Sequence, residues 1–309
     1  MDISFVIPLY NESENIGRLY EEIIQAMGNL HKEYEIIFVD DGSTDASFAA
    51  LEGLHHKDGR VKAIQLRRNF GKALALNSGL RHARGEIIFT MDADLQDNPQ
   101  DIPYFLKKLD QGYDMVCGWR QKRQDAFLKK LFSRIFNRFV FLVTRVNIHD
   151  FNCGFKCLRK EAADSLKLYG DMHRYIPVLA ASGGFRVTEI KVSHRPRIFG
   201  KSKYGSGRFI RGLFDFFTVI FITRYIYRPL HFFGLGGLLI SGTGFSICSY
   251  LSILWLTGQR PIGNRPLLLL GVMLFILGIQ LFSIGFIGEM LASRSSEVRK
   301  KEPVRRIIG

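Results

Sequence analysis

Two apolar runs near the C-terminus, Leu230 to Leu256 and Leu267 to Gly288, contain no Asp, Glu, Lys or Arg. Coiled as helices with a rise of about 1.5 Å per residue, each is long enough to cross a hydrocarbon core of about 30 Å. A chain carrying them is expected to fold as a water-soluble part joined to two transmembrane helices, about 230–256 and 267–288. The charge is distributed to match. Residues 1–193 hold 27 Lys and Arg against 25 Asp and Glu, residues 194–228 hold 8 against 1, residues 229–293 hold 2 against 1, and residues 294–309 hold 6 against 2. The net charge of +14 therefore flanks the apolar runs and leaves the first 193 residues almost neutral. That pattern marks the cytoplasmic side of a membrane and argues against nucleic acid as the partner. The short loop from Thr257 to Pro266 carries only Arg260 and Arg265, so both termini are expected to be cytoplasmic. Met1 leads straight into a strand-like segment with no secretory signal, and insertion is expected to depend on the late helices. Cys117, Cys153, Cys157 and Cys248 fit no zinc spacing and are expected to remain reduced thiols.

The first half alternates between strand and helix patterns. Ile3 to Pro8, Glu35 to Val39, Val61 to Leu66, Glu86 to Met91 and Met115 to Gly118 read as strands. Helical patterns follow at Asn11 to Met27, after Asp45 and at Ala73 to Ala83. This alternation predicts an α/β fold with a mostly parallel sheet and helices on both faces, a doubly wound nucleotide-binding domain. Each apolar run ends in polar residues: Pro8 to Glu12, Asp40-Asp41, Arg67 to Lys72, and Asp92 to Gln96. In a parallel sheet these ends gather along one edge, where open α/β sheets bind ligands. Asp92 and Asp94 offer hard oxygen donors suited to a divalent metal that keeps water and phosphate as its other ligands, or else form an ordinary polar loop. Asp40 or Asp41 can hydrogen-bond a ribose or base, or Asp41, Ser43 and Asp45 can cap a helix. There is no Walker A sequence and no G-x-G-x-x-G.

From Asp125 onward, Leu128, Leu131, Phe132, Ile135, Phe136, Phe139, Val140 and Val143 follow helical spacing, with Lys129, Lys130, Arg134 and Arg138 on other faces. Such a segment suits a membrane surface, or a core helix with a solvated basic face. A second segment, Phe209 to Tyr227, directly precedes the first apolar run and favours the interfacial reading for both. Asp150 to Lys156 lies between them, and His194 to Tyr204 interleaves Arg195, Arg197, Lys201 and Lys203 with Gly, Pro and Ser, which points to an anionic partner.

Taken together, Val6-Ile7-Pro8-Leu9-Tyr10-Asn11-Glu12, Val39 to Asp45, Arg68-Asn69-Phe70-Gly71-Lys72, Met91 to Gln96, Asp150 to Lys156 and His194 to Tyr204 resemble the polyprenyl- or dolichyl-phosphate glycosyltransferases, inverting enzymes of the GT-A type. The two apolar runs resemble the bacterial branch that glycosylates undecaprenyl phosphate. The resemblance implies a GT-A, Rossmann-like catalytic domain over 1–205, an interface helix at about 125–146, a juxtamembrane amphipathic helix at 206–228, two transmembrane helices within 229–290 and a basic tail at 291–309. It implies that Pro8, Tyr10, Glu12, Val39 and Asp41 line the nucleotide pocket with Asp92 and Ala93, and that Asp94 and Gln96 hold Mg²⁺ or Mn²⁺ on the diphosphate. It places Arg120 and Lys129 on donor or lipid phosphates with Arg197, Ser202 and Lys203, and it makes Asp150, alongside Asp94 and Arg120, a catalytic residue and the proposed base. The implied activity is transfer of a hexose-type sugar from a UDP- or GDP-sugar to a polyprenyl phosphate at the bacterial inner membrane, by a homo-oligomer, with a tetramer implied by the resemblance.

A phosphate monoester with a second pKa near about 6 hardly needs a base at neutral pH, so Asp150 is equally a residue that orients the acceptor or a basic neighbour. Two other readings compete. A catalytically inactive, membrane-tethered binder of sugar nucleotides or anionic lipids is opposed by the intact acidic pair and Gln96. A processive polysaccharide synthase is opposed by the presence of only two apolar runs and the lack of a Q-x-x-R-W acceptor motif.

Overall fold

The computed structural model describes residues 1–121, 146, 148–166, 168, 172–195, 229–258, 266–294 and 304–308. The chain divides into two compact units, Met1–Asp215 with Lys301–Gly309, and Phe216–Lys300. The interface segment at 125–145 and the juxtamembrane segment 206–228 lie outside the described residues, as do Lys129, Arg197, Ser202 and Lys203.

In the first unit the strands are β1 (Ile3–Leu9), β2 (Tyr34–Asp40), β3 (Val61–Leu66), β4 (Ile87–Thr90), β5 (Met115–Trp119), β6 (Lys156–Arg159), β7 (Val187–Lys191) and β8 (Val304–Ile308). The helices are α1 (Ser13–Met27), α2 (Ser47–Lys57), α3 (Lys72–His82), α4 (Ile102–Asp110), α5 (Lys160–Ser165) and α6 (Ile176–Ser182). One sheet has the order β7-β5-β6-β4-β1-β2-β3-β8. The pairs β1/β2, β1/β4, β2/β3 and β5/β7 are parallel, as the alternation predicts. β6 runs antiparallel between β4 and β5. Its four residues are too few to show a period in sequence, so this reversal is a structural finding.

Side chains alternate across the sheet, and each face has its own helices. Ile3, Phe5 and Ile7 join Ile16, Leu19 and Ile23 of α1 and Ile102 and Phe105 of α4 in one core cluster. Val6 and Val39 face α3, where a Cβ on Gly79 would lie 2.4 Å from Val6 Cγ1, so the helix sits closer to the sheet than any residue with a side chain permits. Phe5 stacks on Phe89 at 5.4 Å, and Phe89, Phe105 and Phe155 continue the aromatic row toward β6.

The C-terminal tail, expected to be a separate basic segment, instead supplies the edge strand β8. It pairs antiparallel with β3, with Ala63 opposite Ile308 and Leu66 opposite Val304. Adding this strand satisfies backbone groups that β3 would otherwise leave open at the edge.

The second unit consists of α7 (Pro229–Leu256) and α8 (Pro266–Arg294). Both are long and apolar enough to cross a membrane. Their outer faces carry exposed Leu238, Leu239, Leu269 and Ile287. α8 continues six residues past the charge-free run, beyond Glu289. The Glu289 carboxylate accepts a hydrogen bond of 3.1 Å from the Leu230 N–H at the start of α7, where the helix dipole favours an anion.

The two helices meet through glycine. A Cβ on Gly237 would lie 2.6 Å from Gly278 O, one on Gly278 2.3 Å from Ser241 N, and one on Gly244 2.4 Å from Phe275 N. Gly237 and Gly244 thus pack within the chain, while Gly236 and Gly242 open outward. Close backbone approach of this kind is the main source of helix association where no water is present to drive it. Gly278→Leu is therefore expected to part the helices at a cost of about 1–3 kcal/mol, the scale of overpacking. Gly271→Cys, whose Cβ would lie 3.0 Å from the native Cys248 Sγ, should report the parting as cross-linking that is lost when Gly278→Leu is added.

Candidate active site

The C-terminal ends of β1, β2 and β4 lie side by side. Pro8 is the register partner of Val39, and Val6 that of Thr90. The residues that follow, Tyr10, Glu12, Asp41, Asp92 and Ala93, therefore emerge along one edge, as the sequence pattern requires. The loops after β1 and β2 are stitched together. Asn11 takes a left-handed φ of 52°, which Asn tolerates well, and its N–H donates to Ser43 Oγ at 2.8 Å while its Oδ1 accepts from Thr44 N at 2.8 Å. The Glu12 N–H donates to Ser47 Oγ at 3.0 Å.

Asp41 is buried, and both of its oxygens are engaged: Oδ1 accepts from Phe70 N and Oδ2 from Gly71 N, each at 2.8 Å. It thus anchors the loop entering α3. Burial pushes its carboxyl upward, against these two N–H groups. Asp40 Oδ1 accepts from Ser43 N at 2.9 Å, while its Oδ2 is buried without a hydrogen-bond partner among the described residues. Gly42 has a φ of 72°, and a Cβ there would meet Arg68 C at 2.4 Å, so only glycine lets these two loops touch.

The acidic loop after β4 is turned by Leu95, a fully buried residue with a φ of 59°. A left-handed leucine costs on the order of 1–3 kcal/mol and persists only where its surroundings hold it. Here burial of the side chain holds it, and the turn brings Asp94 Oδ1 to the Gln96 N–H at 3.3 Å. The loop is also clamped from outside. Arg195 N donates to Gln96 O at 3.0 Å, Gln96 Nε2 donates to Arg195 O at 3.4 Å, and Asp97 and His194 form a bridge. The Arg195 guanidinium reaches Glu22 of α1 at 2.8 Å and Asn98 at 2.7 Å. An open groove of about 450 Å³ is lined by these residues, and its arginine is already committed to the clamp.

Asp92, a third exposed, is ion-paired with Lys72. Burial raises its carboxyl, but Lys72, Lys156 and Arg120 outweigh that and hold it below its usual range. Gly154 passes so near that a Cβ would lie 2.4 Å from Asp92 Oδ1. Asp150 holds Arg120 through both oxygens, at 2.7 and 3.1 Å, and also accepts from Asn152 N at 3.1 Å. The pair is 6% and 10% exposed.

Asp97 is the one carboxyl of the loop pushed upward strongly, to about 7, by burial and then by Asp92 and Asp94, with Arg120 opposing. Its unfolded value is about 4. Between these values the folded chain keeps a proton that the unfolded chain has lost, so stability falls as pH rises through that window and is level above it. Asp97→Asn, which cannot ionise, should therefore gain stability over the parent by an amount that grows from about pH 4 to about pH 7. Thermal melts of the chelator-treated protein across this range check the sign.

No group of three or more His, Cys, Asp or Glu side chains gathers as a metal cage among the described residues. Asp94 and Gln96 provide one carboxylate and one amide oxygen on the same turn. This sparse set of hard oxygens fits a divalent cation that draws its other ligands from phosphate and water. Arg195, read from the sequence as one of the cations facing an anionic partner, here clamps the acidic loop, while Lys72 and Lys156, whose charges hold Asp92 down, were assigned no individual role from the sequence. Their only signal there was charge inside otherwise apolar or motif-bearing segments.

The family profile described as Glycosyl transferase family 2 matches residues 4–167. The dodecaprenyl-phosphate galacturonate synthase of Rhizobium johnstonii is 37% identical over 297 residues, covering 94% of this chain and 88% of that protein. Among solved structures, a mannosyltransferase from Pyrobaculum calidifontis, described in complex with GDP-Man and Mn²⁺, superposes with a TM-score of 0.52 at 19% identity over 96% of this chain and 76% of its own. Glucosyl-3-phosphoglycerate synthase from Mycobacterium tuberculosis, with Mn²⁺, UDP and phosphoglyceric acid, gives 0.53 at 19% identity over 72% of this chain and 78% of its own. At these identities the two structures establish the GT-A-like fold.

Proposed function

Because the chain belongs to glycosyl transferase family 2, we propose that it transfers a hexose-type sugar from a nucleoside-diphosphate sugar to a membrane polyprenyl phosphate, with inversion at the anomeric carbon. The observation that carries this reading is the 37% identity to a polyprenyl-phosphate sugar synthase across 94% of the chain, an extent that takes in the apolar helices as well as the acidic loop. Those helices support a bacterial inner-membrane location, and the Lys and Arg that flank them in sequence support a cytoplasmic side for the catalytic unit and both termini.

Asp94 and Gln96 would hold Mg²⁺ or Mn²⁺. When bound, the cation supplies Lewis-acid neutralisation of the departing diphosphate. Pro8, Tyr10, Glu12 and Val39 line the edge where the nucleotide lies, and Asp41 shapes that edge by fixing Phe70 and Gly71. Arg120, aimed by Asp150, meets the phosphate of the acceptor. One acceptor oxygen forms a bond to the anomeric carbon as the bond from that carbon to the diphosphate oxygen breaks, and the electron pair leaves with the diphosphate. No proton need move when the acceptor arrives as a dianion.

The test is incubation of the purified full-length protein with undecaprenyl phosphate, Mg²⁺ or Mn²⁺, and radiolabelled UDP- and GDP-sugars. Label should enter the organic phase and vanish on adding chelator. An intact protein that binds sugar nucleotides yet labels no lipid under any of these conditions would instead be a binding protein.

A further inference from the structure

The helix pair α7 and α8 carries a single amide side chain, Gln280 of α8. At a rise of about 1.5 Å per residue it lies about 2 Å from the centre of the apolar span Pro266–Leu291. Gln280 is exposed, and it makes no hydrogen bond among the described residues. An amide has two N–H donors and an oxygen acceptor, and the middle of a bilayer offers no water to meet them.

The hydroxyls of the same helices show how such a group is satisfied when it can be satisfied locally. Thr243 Oγ1 donates to Leu239 O, Ser246 Oγ to Gly242 O, Ser252 Oγ to Cys248 O and Ser283 Oγ to Ile279 O, at 2.8–3.0 Å. Each Oγ sits on its Cβ, close enough to reach the carbonyl one turn back. Gln280 makes no such bond, so its partner lies outside the hairpin.

The glycines fix the direction in which Gln280 points. Gly271, Gly278 and Gly285 face α7, each with an α7 atom within 3.0 Å of the place a Cβ would take. Gln280 is two residues past Gly278, which at 3.6 residues per turn is about 200° around the helix and so directly away from α7. Along this outward face Met273, Leu277, Gln280, Ile284 and Ile287 recur at alternating steps of four and three, all exposed. That is the seam of a left-handed coiled coil with one polar position in its middle.

The amide also says what covers the seam. It both donates and accepts, so an identical residue satisfies it, and copies of one chain inserted in the same sense carry it at the same depth. A lipid chain offers neither donor nor acceptor.

We propose that α8 pairs along this seam with α8 of a second copy, about a two-fold axis normal to the membrane, with the two Gln280 amides hydrogen-bonded to each other. The apolar seam residues supply close packing, and the lone amide fixes the register. The pairing rests on the membrane placement proposed above and is independent of the transfer reaction.

The experiment uses the purified full-length protein in vesicles of phosphatidylethanolamine and phosphatidylglycerol. Cys248→Ala removes the half-buried thiol of α7, and the remaining Cys117, Cys153 and Cys157 are buried. In that background Ile284→Cys, on the seam, should be joined to a second copy by a short bismaleimide. Ile279→Cys, exposed but about 100° away from Gln280, should be joined far less. Adding Gln280→Leu to Ile284→Cys should cut the joined fraction. Energy transfer between copies labelled at the N-terminus, followed as lipid is added, should show self-association weakened by about 3–30-fold in Gln280→Leu and by less in Gln280→Asn, which keeps the amide. Leucine suits a lipid-exposed position, so such a loss reads the missing amide and not a missing helix.

Equal cross-linking at 279 and 284, or self-association unchanged by Gln280→Leu, would overturn the pairing. So would a protein that stays monomeric as lipid is withdrawn. Release from the vesicles in alkaline carbonate would instead remove the membrane placement, and the seam with it, while leaving the transfer reading to its own assay.

Discussion

Asp94→Ala should lower sugar transfer by about 10³-fold or more, the scale of losing a preorganised electrostatic group at a developing charge, while leaving the melting temperature of the chelator-treated protein within a few degrees of the parent. The two halves of this expectation have separate grounds. Asp94 Oδ1 accepts from Gln96 N at 3.3 Å, and the turn that positions it is held by the buried Leu95 side chain and by the Arg195 clamp. Removing the carboxylate thus takes away the proposed metal ligand while the supports of the loop stay in place. Asp94→Asn keeps the backbone contact and loses only the charge, so it should fall nearly as far. Rates measured over a Mn²⁺ series will separate lost affinity from lost chemistry: a raised requirement for metal with partial recovery at high concentration is expected, and full activity at ordinary concentration would remove Asp94 from the metal's ligand set.

The strands at the heart of the sheet and their parallel run were legible because β1, β2, β3 and β4 are near-continuous apolar runs ended by polar loops, a pattern that buried parallel strands impose. The edge at which Tyr10, Asp41 and Asp92 gather follows from that parallel run. What the loops do there was not legible. Asp41 reads in sequence as a ligand residue or a helix cap, yet both oxygens accept from Phe70 N and Gly71 N, because no local pattern reveals that a residue 29 positions away will need an acceptor. The left-handed turn at Leu95 was hidden for a different reason: leucine is not a residue that signals positive φ, and only tertiary burial makes the conformation tolerable. β8 was masked by its own charge, since Arg305 and Arg306 sit inside a five-residue strand and read as a basic cytoplasmic tail. The helix hairpin was visible in composition, but which glycines face inward depends on rotation about the helix axis. That separates Gly237 and Gly244 from Gly236 and Gly242.

The Asp150–Arg120 pair yields the second large effect. Asp150→Ala should cost about 3–5 kcal/mol of stability, because it leaves a guanidinium that is 10% exposed without its counter-charge. Activity should fall with it, since Arg120 then loses the two hydrogen bonds that fix its plane. A base and a positioning residue predict different pH behaviour for Asp150→Asn. Loss of a base makes the rate climb steadily with pH as hydroxide or a dianionic acceptor takes over the task. Loss of positioning lowers the rate by a similar factor at every pH from 7 to 9, where the acceptor phosphate is already dianionic. The geometry favours the second outcome, since both carboxylate oxygens are bound to Arg120 and one also accepts from Asn152 N. The double variant Arg120→Met with Asp150→Leu makes the separation sharper. Replacing a buried ion pair with apolar groups of similar size is often neutral for folding, so this variant should recover most of the melting temperature lost in Asp150→Ala and none of the transfer activity. Recovery of both would mean that the pair supports the fold alone and that the acceptor phosphate is held elsewhere.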